Sequence, residues 1–231
     1  MTRSLFHILD FVDLTMNKFV TSFCIFILLS SLSVKSQDVA ILKYHGGGDW
    51  YANPTALPNL IKFCNNKIGT TINSKPVTVD VGSSSIFQYP FIHMTGHGNV
   101  VFSDEEIENL RNYLLSGGFL HIDDNYGMKP YITREINRLF PATNLEELGA
   151  EHPIFSSSYS FPKGLPKIHE HDGQRPQALA ISQNNRIVLL FTSESDLGDG
   201  WEDPTIHNDT PEVREKALQM GANIISYVFK N

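Results

Sequence analysis

Four short segments hold the side chains of this sequence that could do chemistry. In "FLHIDDNYG" (119–127) an apolar run leads directly into Asp123 and Asp124, followed by Asn125, Tyr126 and Gly127. Adjacent carboxylates at that point can bind a divalent cation, share acid and base roles, or cap nearby amides. In "MTGHGN" (94–99) His97 stands between Gly96 and Gly98. The glycines can turn backbone amides toward an anion, and His97 can be a base or a metal ligand. The same motif can also be a turn whose histidine only bonds a neighbour. Asp123, Asp124 and His97 are therefore the candidate catalytic residues.

The other two segments read as walls of a binding site. "HGGGDWY" (45–51) offers His45, then Gly46, Gly47 and Gly48, then Asp49 and Trp50. Three glycines let the backbone pass close to a bound group. The run echoes the HGGG oxyanion loop of esterases, but the chain has no G-x-S-x-G elbow to supply a serine. "SDLGDGWED" (195–203) places Asp196, Asp199, Trp201, Glu202 and Asp203 around two glycines. Its composition suits calcium, although its spacing is not that of an EF-hand. Trp50 and Trp201 are the only tryptophans. Each can be a platform for a sugar or another flat apolar face, or can close over the core. His45, Gly46, Gly47, Gly48, Asp49, Trp50, Asp196 and Trp201, with Gly96, Gly98, Asn125 and Tyr126, form the expected ligand-binding set.

The cofactor is left open by the motifs. There is no P-loop, no dinucleotide fingerprint, no HExxH and no paired-cysteine site. "IHEHDG" puts His169 and His171 on one side of an extended segment. Such a pair can grip a metal or simply line a solvated edge.

The elements that must position these segments follow from periodicity. "DVAILKY" (38–44) is a continuous apolar run and reads as a buried strand. Residues 55–67 read as an amphipathic helix, with Leu57, Leu60, Ile61 and Cys64 on one face. Strands are expected at 76–82, 89–98 and 119–124. Between the last two, Ser103 and Glu106 form a capping box and Gly117-Gly118 end a helix. Another helix is expected at 132–140, then irregular chain over 141–176. "ALAISQNNRIVLLFTSES" (178–195) reads as two strands joined at Asn184-Asn185. Thr210 and Pro211 open a closing helix to 229. Strands alternating with helices imply a largely parallel sheet covered on both faces. In such sheets ligands bind at the carboxyl ends of the strands, so the four segments are expected to converge there.

The N-terminus reads as an address. From Met16, one early cation (Lys18), an apolar run from Phe19 to Leu29 and small residues near Ser36 have the layout of a secretory signal peptide. The run is shorter than the ~20 residues of a membrane span. Residues 1–15 contain Asp10 and Asp13 and make a poor positive region, which points to Met16 as the true start. Cleavage after Ser36 leaves residues 37–231 as one domain, exported to the periplasm or the extracellular space, with no stable span. The formal charge then moves from −7 to −8, because Arg3, Lys18 and Lys35 leave with Asp10 and Asp13. An acidic chain without a basic cluster argues against nucleic acid and against anionic lipid. Cys24 leaves too, so Cys64 alone remains and no intrachain disulfide can form.

Taken in order, "LKYHGGGDWYANPTALPNL", "YPFIHMTGHGNVVFSDEEIENLRNYLLSGGFLHIDDNYG", "EHPIF" and "DLGDGW" resemble the domain of unknown function 4159 family, over about residues 38–229. The resemblance implies a fold similar to class I glutamine amidotransferases, a flavodoxin-like three-layer α/β sandwich with a mostly parallel sheet. "HPIF" (152–155) is also similar to a segment of the trehalose-utilisation branch of that superfamily. The resemblance supplies no activity. It puts Asp123 or Asp124 where an amidotransferase carries its cysteine, and a carboxylate cannot replace that thiolate. The expectation is an exported domain that binds a small molecule or glycan, or an envelope component, at the carboxyl edge of the sheet. A hydrolase built on Asp123 or Asp124 with His97, with or without a metal, is the enzymatic alternative. A structural role in envelope assembly is the third.

Overall fold

The structure, a computed structural model, describes residues 38–171 and 173–230. The expected leader, residues 1–36 with its start at Met16, lies outside the described residues. The fold is α/β. Seven strands form one mostly parallel sheet in the order β2-β1-β3-β4-β7-β6-β5. They are β1 (Val39–Lys43), β2 (Val77–Asp80), β3 (Phe91–His97), β4 (Phe119–Tyr126), β5 (Glu146–Glu147), β6 (Gln177–Gln183) and β7 (Arg186–Ser193). The pairs from β2 through β7 are parallel, whereas β6 runs antiparallel to β7 and to β5. The β6–β7 hairpin turns at Asn184 and Asn185, both left-handed (φ 51° and 61°), as a two-residue type I′ turn requires.

The helices are α1 (Ala56–Lys67), α2 (Asp104–Leu115), α3 (Lys129–Leu139), the short α4 (Leu197–Trp201) and α5 (Pro204–His207), and α6 (Pro211–Lys230). The capping box expected at the start of α2 is present, with Ser103 accepting from the Glu106 amide and Glu106 from the Ser103 amide. Two clusters of buried side chains hold the helices to the sheet. Leu57, Leu60, Ile61 and Cys64 of α1 join Phe91, Phe119 and Leu190 of the strands, Trp201 of α4 and Ala217 to Ile225 of α6. Leu110 and Leu114 of α2 and Ile132 and Ile136 of α3 join Leu42, Ile92, Met94, Leu120, Ile122 and Phe191. Side chains alternate across a strand, so successive strand residues feed the two clusters in turn. No helix among the described residues is long and apolar enough to cross a membrane.

One face changes character along the strands. On β3 and β4 the register pairs Phe91 with Phe119, then His93 with His121, then Thr95 with Asp123. The phenyl rings stack at 5.7 Å and the imidazoles approach to 5.1 Å. The face is thus apolar at the amino end and polar at the carboxyl end, on a spacing of two residues. β4 runs two residues beyond the expected Asp124, so Asp123, Asp124 and Asn125 lie within the strand and not on a sharp turn after it.

Candidate functional site

The four segments do meet at the carboxyl edge, but in two groups joined by Asn53. The first group is built from the ends of β1 and β3. His45 forms an isolated antiparallel bridge with Val101, the Gly48 amide donates to the Asn99 carbonyl at 2.9 Å, and the Asn99 side chain donates to the Gly46 carbonyl at 3.0 Å. A Cβ on Gly46 would stand 2.8 Å from the Val101 nitrogen, and one on Gly48 2.7 Å from the Asn99 oxygen. The close backbone approach that explains these glycines is therefore to residues 97–101 of the same chain. Gly47 differs, because it has φ +90° and nothing within 4 Å of an added Cβ. Gly46→Ala and Gly48→Ala are each expected to lower stability by at least ~2 kcal/mol through overpacking against rigid backbone. Gly47→Ala is expected to cost only the ~1–2 kcal/mol of a left-handed residue. Urea midpoints of the three variants test the order.

The nest expected around His97 is filled from within. The His97 amide donates to Asp49 Oδ1 at 2.5 Å, and His97 Nδ1 lies 3.0 Å from Asp49 Oδ2. The anion held by this turn is the chain's own carboxylate. His45 turns away, with Nε2 3.7 Å from Glu106. Trp50 packs partly buried against the core cluster on the α2 and α3 side, edge-on to Tyr51, with ring centroids 5.6 Å apart.

The second group is built from the ends of β4 and β7. Asp123 is fully buried. Its Oδ1 accepts from the Thr192 hydroxyl and its Oδ2 from the Gly198 amide at 2.7 Å. Burial pushes its carboxyl up to about 7; the two hydrogen bonds oppose that shift, and Asp199 and Asp124 reinforce it. Asp124 accepts from the Met128 and Lys129 amides at 2.9 and 3.1 Å. It caps α3, whose orphan amides need an acceptor. Neither carboxylate is hydrogen-bonded to His97, whose partner is Asp49. The expected Asp–Asp–His constellation is thus divided among a loop anchor, a helix cap and a separate imidazole–carboxylate contact.

Trp201 corrects another expectation. It is fully buried, its indole N–H donates to the Ala217 carbonyl at 2.8 Å, and its ring lies 5.4 Å from His93 and 5.7 Å from His121. A ring without exposed surface is no platform. "SDLGDGWED" is an exposed loop only by composition. As α4 it is buried, because Asp123 accepts the Gly198 amide and α6 receives the tryptophan. Cys64 also lies in the core, where burial pushes its thiol up to about 12, so almost no thiolate forms at neutral pH.

Asn53, which no motif singled out, joins the groups. Its amide donates to Asp199 Oδ1 at 2.7 Å and its carbonyl accepts from Asn125 at 3.1 Å. Asn125 also accepts from Thr95 at 2.7 Å. Around this knot lie three further histidines. His169 is gripped between Asp199 (3.1 Å) and Asp209 (2.9 Å). The hydrogen bond to Asp199 raises its pKa to about 9; burial opposes this and Asp209 adds to it. His171 Nε2 stands 2.6 Å from Asp196 Oδ2, and its ring lies 4.6 Å from that of Tyr126. His207 lies between Asp199 (3.7 Å) and Glu202 (3.6 Å). Asp196 is fully buried, and burial, with Asp123 and Asp199 nearby, pushes its carboxyl up to about 9. Outside the β6–β7 turn, the left-handed non-glycine residues among those described are Asn53, Glu194, Asp196 and Asn208. All of them flank this cluster, and such conformations persist where surrounding contacts over-determine them.

Of the "IHEHDG" pair, His169 is half-buried between Asp199 and Asp209, whereas His171 is exposed and reaches Asp196. Nothing in the spacing of His207 pointed to the site.

A family profile described as "Domain of unknown function (DUF4159)" matches residues 38–229. No curated protein matches the chain.

Proposed function

The chain belongs to the DUF4159 family, and we propose that it is an exported, amidotransferase-like domain that binds a small polar ligand, a carbohydrate or an envelope component, at the carboxyl edge of its sheet. The strand order β2-β1-β3-β4-β7 supports the flavodoxin-like reading, in which ligands sit at that edge. Helices feeding both buried clusters support a three-layer sandwich. Export rests on the leader-like segment from Met16.

The observation that carries the binding reading is Tyr126. It is 51 % exposed and pairs in register with His97 across β3 and β4. Its ring meets that of His171 at 4.6 Å. An exposed aromatic ring beside one imidazole, with a second imidazole at the paired strand position and held by Asp49, suits a hydroxylated ring: the apolar face stacks and the polar groups accept and donate. Tyr51, 67 % exposed, adds a second ring beside Trp50. The platform thus moves from Trp201 to the tyrosines.

Glutamine hydrolysis is not part of this proposal, because Cys64 is a buried thiol. A hydrolase built on Asp123 or Asp124 with His97 is disfavoured by the other work those carboxylates do. Tyr126→Ala and Asp49→Asn are expected to weaken binding of any ligand found in a glycan and cell-wall fragment screen by at least about tenfold, the scale of one lost stacking or charged contact. Unchanged affinity in both variants for every ligand found would remove the reading.

A further inference from the structure

We infer that His169, Asp199 and His207 form a site for a divalent transition metal, zinc by the character of its ligands. The inference stands on different residues from the ligand platform and does not depend on it. Three atoms converge: His169 Nδ1 lies 3.1 Å and His207 Nδ1 3.7 Å from Asp199 Oδ2. All of the ligand atoms of the trio fall within 4.8 Å of one another. Zinc–ligand bonds of about 2.0–2.1 Å in tetrahedral geometry put neighbouring donors about 3.4 Å apart, which the two measured separations straddle. Two imidazoles and one carboxylate are a set that zinc accepts, with a fourth position left for water or a ligand.

The far side of each ligand is also provided for. His169 Nε2 lies 2.9 Å from Asp209 Oδ1, His207 Nε2 lies 3.6 Å from Glu202 Oε2, and Asp199 Oδ1 accepts from Asn53 at 2.7 Å. A carboxylate behind a ligating histidine fixes its tautomer and raises its basicity. That hydrogen bond is made at His169, while at His207 the carboxylate of Glu202 stands just beyond hydrogen-bond reach; both inner nitrogens face one oxygen of Asp199. An independent observation comes from Asp196. It is fully buried, and its Oδ1 has no hydrogen-bond partner. Its other oxygen, Oδ2, has His171 Nε2 at 2.6 Å. An unsatisfied buried oxygen one turn before Asp199 is a group that an ion or its bound water would satisfy.

The site would link the buried α4 to α5, which has no buried residue of its own. α4 carries Asp199 and Asp123 holds its Gly198 amide, while α5 ends at His207. The loop at His169 and these two neighbouring short helices would thus be clasped by one ion.

The test is titration of the chelator-stripped protein with zinc and, separately, with cobalt. The expected result is one equivalent of zinc per chain, with the visible absorption of tetrahedral cobalt and a rise in thermal midpoint with zinc concentration. His207→Ala and His169→Gln are each expected to weaken zinc binding at least 100-fold. Asp209→Asn, which leaves all three ligands in place, is expected to weaken it about 10- to 100-fold. Circular dichroism confirms that each variant compared is folded. If a ligand variant does not fold, Asp209→Asn with the cobalt spectrum decides the matter. No zinc binding by the wild type at millimolar metal, or stoichiometric binding unchanged in His207→Ala or Asp209→Asn, would overturn the site. Because no glycan enters this experiment, its failure leaves the Tyr126 platform untouched.

Discussion

Replacing Asp123 with alanine is expected to destabilise the protein by about 3 kcal/mol, read as a lower urea midpoint at unchanged slope. The residue is fully buried and holds two donors from β7 and α4. Without it the Gly198 amide is left buried and unpaired, which costs about 1–3 kcal/mol. A small cavity adds to that. Thr192 loses less, because its hydroxyl also lies 3.2 Å from the Ile122 carbonyl. Relief from burying a carboxyl pushed up to about 7 offsets part of the loss. Asp123→Asn is expected to fall between wild type and alanine, because an amide offers its one oxygen to only one of the two donors. A change under about 1 kcal/mol in the alanine variant would mean that Asp123 does not anchor α4. The candidate metal ligand Asp199 would then be positioned by Asn53 and the histidines alone.

The second large effect is acid sensitivity set by the buried histidine pair. His93 Nδ1 and His121 Nδ1 are 3.1 Å apart, and His121 Nε2 is 3.1 Å from the Thr192 hydroxyl that reaches Asp123. Donors and acceptors must alternate along this row. With Asp123 ionised, Thr192 donates to it, His121 Nε2–H donates to Thr192, and His93 Nδ1–H donates to His121. His93 Nε2 then remains as a bare acceptor, and it is a buried atom without a hydrogen-bond partner. Burial holds His93 down to about 3, and burial with the neighbouring His93 holds His121 well below its ordinary value.

Between about 3 and the ordinary histidine value of about 6.5, the unfolded chain binds a proton at His93 that the folded chain refuses. Stability is therefore complete above about 6.5 and falls as pH drops through that window, at about 1.4 kcal/mol per pH unit. Asp123 and Asp196 work in the opposite sense, because their raised values make the folded state the better proton acceptor above the ordinary aspartate range. The wild-type curve alone mixes both effects. Compared with a His93→Phe variant, the wild type is expected to lose about 2 kcal/mol more stability between pH 7 and pH 5. Urea titrations of both proteins at the two pH values measure this difference. Parallel losses would show that folded His93 takes up a proton as readily as the unfolded chain does.

Much of the architecture was legible from periodicity. Apolar runs placed β1, β3 and β4, Ser103 and Glu106 set the start of α2, and Asn184-Asn185 marked the hairpin. These are local signals, in which one turn or one strand face satisfies its own backbone. The convergence of loops at the carboxyl edge followed from the alternation of strands and helices. Less was legible in the site itself. Asp123 and Asp124 look alike in sequence, but strand alternation sends one toward α4 and the other toward the amides of α3. Trp50 and Trp201 both follow glycine and an acid, yet only Trp201 finds a carbonyl and a bed of histidines in the core.

The sequence by itself determined the α/β class, the positions of the longer strands and helices, the acidic charge and the family. Each depends on composition or on neighbours a few residues apart. The tertiary structure alone decided which carboxylate meets which histidine. His169, Asp199 and His207 come from a loop and two short helices, and Asn53 precedes the first helix. Their meeting depends on the parallel pairing of β4 with β7 and on the packing of α4 against α6. Gly46 and Gly48 of "HGGGDWY" likewise serve a contact with residues 97–101, fifty positions away along the chain. Long-range contacts of this kind leave no period and no fixed spacing in the sequence.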